Sequence, residues 1–122
     1  MKEQRQKFES YLDEQIAACR QRGKLLAADD RQDEGNFEKV RANVYEIFKT
    51  ILSVSERLCG KDESAKRDFF LQKIEQIPAS WTASSEKAKQ NGDVAKMHIE
   101  SIKLDTIQEI KGMCMQIWEE TA

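Results

Sequence analysis

The chain has 122 residues, of which 39% are hydrophobic and 34% charged, with a formal net charge of -2 at pH 7. This length supports one core rather than two, and the charges are interspersed among apolar residues, a pattern of amphipathic helices rather than of disorder. The near-neutral balance, with no basic stripe beside stacking aromatics, argues against nucleic-acid binding, and five glycines with one proline leave too few turns for a β-sandwich.

No apolar run approaches the roughly 20 residues that a bilayer span needs, and no apolar segment of a secretory signal follows the charged residues 1–7. The three cysteines, Cys19, Cys59 and Cys114, are far apart and odd in number, which fits neither a disulfide framework nor paired metal ligands. The expectation is a single domain over residues 1–122, in a reducing cytoplasm, with no cofactor, no membrane and no nucleic acid.

The first helix is expected from residue 2 to about residue 29, because Phe8, Leu12, Ile16, Cys19, Gly23 and Leu26 recur at steps of three or four. Residues 29–36 are polar and contain Gly35, so a turn is placed there, with Asn36 as the cap of the next helix. A prolonged first helix is the alternative.

The second helix has the most regular pattern. Phe37, Val40, Val44, Ile47, Ile51, Val54 and Leu58 alternate steps of three and four, and a second row of Tyr45, Phe48, Leu52 and Cys59 runs beside them. Together the rows cover about half the circumference of the helix at 3.6 residues per turn, which calls for more than one neighbour. Gly60 is placed to end this helix in the left-handed conformation.

Asp62 can cap a third helix carrying Phe69, Phe70, Leu71, Ile74 and Ile77. Pro78 lacks the N–H that the helical ladder uses, so a kink or a break into two collinear halves is expected there. The phase survives it through Trp81 and Ala88, and the helix ends at Asn91 and Gly92. Asp93 then caps a fourth helix to about residue 120, with Ala95, Ile99, Ile102, Ile110, Met113 and Ile117 on its inner face. Four helices joined by short turns are most simply an antiparallel, up-down-up-down bundle.

The segment from Gly35 to Val40 echoes that from Gly92 to Met97, and the first resembles the turn of a tetratricopeptide hairpin over about six residues. The copies lie 57 positions apart (92 − 35), not one repeat length, and the second and fourth helices are too long for such repeats. The echo is shared turn chemistry, and no family is assigned on it.

The sequence shows no constellation for catalysis. The single histidine, His98, lies on the polar side of the fourth helix near Ser101 and Asp105, and a solvated side chain is the simpler reading than a general base. One histidine cannot supply a ferritin-like di-metal site. Asp29, Asp30, Asp33 and Glu34 lack the order of a calcium-binding loop. Cys59 and Cys114 would lie toward the same end of an antiparallel bundle, the only hint of redox chemistry. No phosphate loop or dinucleotide fingerprint is present.

The expected function is therefore a non-catalytic helical interaction or adaptor protein. The breadth of the apolar surface on the second and fourth helices points to self-association as a homodimer or to another protein partner. The interface residues expected are Tyr45, Phe48, Leu52, Trp81, Met97, Leu104, Met115 and Trp118. The alternative is a bundle that holds a small apolar ligand near Trp81, Phe48 and Tyr45.

Overall fold

The computed structural model describes the backbone of residues 2–60 and 62–119; within these, the side chains of residues 2–5, 63, 80, 118 and 119 fall outside the description. The chain is an all-α bundle of four helices: α1 (Lys2–Ala28), α2 (Gln32–Cys59), α3 (Glu63–Gln90) and α4 (Val94–Glu119). There are no strands among the described residues.

The turns follow from local chemistry. Asp62 Oδ1 accepts from the N–H of Ala65 at 3.0 Å and Asp93 Oδ1 accepts from that of Lys96 at 3.1 Å, so both acids cap the helices expected of them. Gly60 and Gly92 take φ of 61° and 69°, the region that glycine enters without steric cost.

The first turn differs from expectation. α1 stops at Ala28, Asp30 sits at φ 57°, and α2 begins at Gln32, four residues before Asn36. Asn36 is therefore not a cap. Asp33 and Glu34 fill the first turn of α2, where negative charge meets the positive end of the helix dipole. Gly35 is consequently inside α2, and its role is close approach. A Cβ on it would stand 3.1 Å from the carbonyl oxygen of Gly23 in α1.

α3 is one continuous helix across Pro78, so the two-halves alternative does not occur. The Thr82 hydroxyl donates to the Pro78 carbonyl at 3.1 Å one turn further on.

Contacts order the helices. Between α1 and α2, Arg22 pairs with Glu38 and Asp13 with Lys49, so the two run in opposite directions. Between α3 and α4, Lys111 reaches Glu75 and Lys103 lies over Trp81, again in opposite directions. Across the hairpins, the Phe37 ring of α2 meets that of His98 of α4 at a tilt of 51° and Tyr45 bonds Glu109, an ascending order along both helices. α1 rests chiefly on α2, and α3 on α4.

The core gathers Phe8, Leu12, Ile16 and Cys19 from α1 with Tyr45, Phe48 and Leu52 from α2, Phe70 and Ile74 from α3, and Ile107, Ile110 and Cys114 from α4. The α1 row is the expected one. In α4 Ile102, Ile110 and Ile117 of the expected inner face are buried, whereas Ala95 is exposed, and Ile107 and Cys114, not placed on that face, are fully buried. The Phe70 ring is the hub, meeting Phe8 edge-on at 5.1 Å and Phe48 at 5.7 Å. Such edge contacts add about 0.5–1.5 kcal/mol each beyond the area they bury.

Candidate interaction surface

α2 carries two apolar rows, and the bundle uses them differently. The inward row is Tyr45, Phe48, Leu52 and Ser55, continued toward the start of the helix by Ala42, Glu38 and Gly35. The more regular row lies outward: Ile47 is 38% and Leu58 68% exposed, and Val40 and Val54 are half-buried between and beside them. Val44 is the member of that row taken wholly into the core, while Ile51 packs at the core's edge.

The expected interface residues therefore divide. Tyr45, Phe48 and Leu52 are buried within the chain's own core, where Phe70 and the α1 side chains cover them. Trp81, Met97 and Leu104 are half-buried, and Met115 is 39% exposed. The Trp118 side chain lies outside the described residues. The Trp81 ring packs at the edge of the core with the Lys103 ammonium 5.4 Å from its centre.

Beside the outward row of α2 is a half-open groove of about 410 Å³ between α1 and α2. Its floor is made of small side chains, Gly23 and Ala27 of α1 and Ala42 of α2, and its α2 wall carries Lys39, Asn43 and Glu46. At Gly23 the groove adjoins a close approach of the two helices, where a Cβ on Gly35 would stand 3.1 Å from the Gly23 carbonyl oxygen. The carboxylate of Glu46 binds Arg20 across it.

Some buried polar groups join two helices and others are bonded within their own helix. Glu38, 8% exposed, receives Arg22 Nε at 3.2 Å and faces Arg41 Nη1 at 3.5 Å. The hydroxyls of Ser55 and Thr106 each donate to a carbonyl of their own helix at 2.7 Å. Tyr45 donates to Glu109 Oε2 at 3.0 Å, joining α2 to α4. Burial, with Tyr11 and Glu109 adding to it, raises the Tyr45 pKa far above the usual phenol value, so the hydroxyl remains a donor. Glu100 is 5% exposed; its Oε1 takes Lys103 at 3.3 Å, and its Oε2 has no hydrogen-bond partner among the described residues.

Two of the cysteine thiols are made less acidic by their surroundings. Burial pushes the Cys114 thiol up to about 12 against a small opposing pull from Arg67, and burial with Glu38 raises Cys19. All three thiols are free. His98 is exposed, its ring 4.5 Å from that of Phe37. Among the described residues no group of three or more His, Cys, Asp or Glu is placed to hold a metal ion, and no helix is long and apolar enough to cross a membrane.

A comparison with known protein families, with curated proteins and with solved structures finds no match to this chain.

The groove residues Lys39, Asn43 and Glu46 were not among those expected from the sequence. Their signal is present in it: with Ala42 and Thr50 they form a row of small and polar residues at steps of three and four directly beside the apolar row. Hydropathy alone reads such a row as solvated surface.

Proposed function

We propose that the protein is a non-catalytic helical interaction module that self-associates, most simply as a symmetric dimer, through the outward face of α2. One observation carries this reading. The most regular three-and-four repeat in the chain, the pattern with which one helix packs against another, lies largely outside the chain's own core at Ile47, Val54 and Leu58.

Neighbouring chemistry supports it. Asn43 and Thr50, exposed and neutral, flank that row on its solvent side, and the charged residues beside them, Lys39 and Glu46, are of opposite sign. A row of this kind can be covered without burying unpaired charge. Met115 and the half-buried Met97 and Leu104 give α4 a smaller share of apolar surface.

Light scattering coupled to size exclusion over a concentration range tests the proposal. The expected result is twice the chain mass, falling to the monomer mass in Ile47→Glu with Leu58→Glu while the helical circular dichroism is kept. A wild-type chain that stays monomeric at every concentration overturns it.

A further inference from the structure

Within the self-association reading, we propose a specific register: α2 packs antiparallel on α2 of a second copy about a two-fold axis at Asn43, with Lys39 of each copy opposite the partner's Glu46. The inference rests on that reading and adds the orientation, the axis and the residues that select the partner.

The charge pattern decides the direction. On the outer face of α2, Lys39, Asn43 and Glu46 are four and three residues apart and so share one row. A two-fold axis running along parallel helices keeps equal positions level and brings each flank against the partner's opposite flank, which would set Lys39 and Glu46 against the partner's apolar Val40 and Ile47. An axis perpendicular to antiparallel helices at Asn43 instead brings the same flanks together in reverse order, with Lys39, four residues before Asn43, within one residue's rise, about 1.5 Å, of the level of the partner's Glu46, three residues after it. Lys39 then meets the partner's Glu46, and the symmetry makes the pair twice.

The same axis matches the apolar row. Val40 lies three residues before Asn43 and Ile47 four after it, so Val40 of one copy also comes within about 1.5 Å of the level of the partner's Ile47, offset in the opposite sense, and the reverse. Both are on the outward side of α2, Ile47 at 38% exposure. One placement therefore satisfies the charged row and the apolar row together.

The groove provides room at the crossing. Ala42, Gly23 and Ala27 carry at most a methyl group, so the surface is concave where the axis passes and the second helix can seat against it. The carboxylate of Glu46 binds Arg20 of α1, and its side chain remains 42% exposed. Antiparallel overlap about Asn43 runs over residues 32–54 of α2, about 35 Å at about 1.5 Å per residue, which takes in Ile47 and Val54 and stops short of Leu58.

A charge-swap set tests the register. In Lys39→Glu each copy opposes two acids, and in Glu46→Lys two bases, so each variant alone should dimerise at least about tenfold more weakly than wild type, the effect of about 1.4 kcal/mol. An equimolar mixture of the two should recover the dimer mass, because each copy then carries the charge that the other needs. The double variant Lys39→Glu with Glu46→Lys should dimerise as wild type does, which also guards against a fold defect in either single variant.

If the single variants dimerise as tightly as wild type, or if the mixture and the double variant both stay monomeric while wild type is a dimer, the register is overturned and the self-association reading stands. A monomeric wild type overturns both.

Discussion

The two faces of α2 share one helix and nearly the same spacing, yet one is filled with aromatic contacts and the other lies open. Tyr45 and Phe48 are 2% and 0% exposed, while the adjacent Ile47 is 38% exposed. The difference lies in reach and in polar complement. Rings extend far enough to meet Phe70 and Tyr11 across the bundle, and turning them inward removes more apolar area than turning the branched aliphatics would. The Tyr45 hydroxyl also finds Glu109, so its burial leaves no donor unpaired. Regularity of spacing is thus a poor guide to which row a bundle keeps for itself.

The contrast is broken most directly by truncating adjacent residues. Phe48→Ala removes a fully buried ring and is expected to lower the unfolding free energy by about 3–5 kcal/mol, as read from urea denaturation. Ile47→Ala, measured on the dilute monomer, should cost under about 1 kcal/mol. Similar losses at the two sites would mean that the two faces are not energetically distinct.

Alkaline pH probes the inner side by another route. The Cys114 pKa is raised from its ordinary value of 9.0 to about 12. Below pH 9 both folded and unfolded chains keep the thiol proton and nothing is lost; above it only the unfolded chain releases the proton, so stability falls as pH rises toward 12. The expected slope from this group is about 1.4 kcal/mol per pH unit. Melting curves of wild type and Cys114→Ala between pH 9 and 11 should diverge in slope, with wild type the steeper.

Glycine substitutions sharpen the comparison between packed and open helix surface. Gly35→Ala gains helix propensity, but its methyl group would stand 3.1 Å from the Gly23 carbonyl oxygen, and the net expectation is a loss of about 1 kcal/mol. Gly112→Ala meets nothing within 4 Å and should gain about 0.5–1 kcal/mol. Thermal melts of the pair should move in opposite directions. The smallest effect is expected at the first turn, where Asp30→Gly relieves a φ of 57° and should raise the stability by about 0.5 kcal/mol.

What the sequence could disclose was what depends on neighbours in the chain. Asp62, Asp93 and Gly60 were legible as helix boundaries because a cap is made with backbone groups within a few residues. The α1 row was legible because its apolar residues occupy only one face. α2 was not, since two apolar rows fix their angle to each other and leave their orientation to the rest of the fold. Gly35 was misleading for the same reason: in sequence it resembles turn glycine, and only the approach of Gly23 shows that it belongs inside a helix. The acidic run before it reads as loop until Asp33 and Glu34 are seen in a helical first turn. The groove wall of Lys39, Asn43 and Glu46 was legible as a row but not as a wall, because the other wall comes from α1.

The contact of Gly23 with Gly35 has one more consequence, for how the first hairpin finds its alignment. These positions act as a key and its slot: they are the ones at which α1 and α2 meet through bare backbone. Sliding α1 by a single turn would bring Ala27 or Cys19 to the place of Gly23 and drive a side chain onto the α2 backbone. Misaligned hairpins are therefore held apart and cannot compact fully. The two glycines thus disfavour alignments of the first hairpin other than the one in which they face each other.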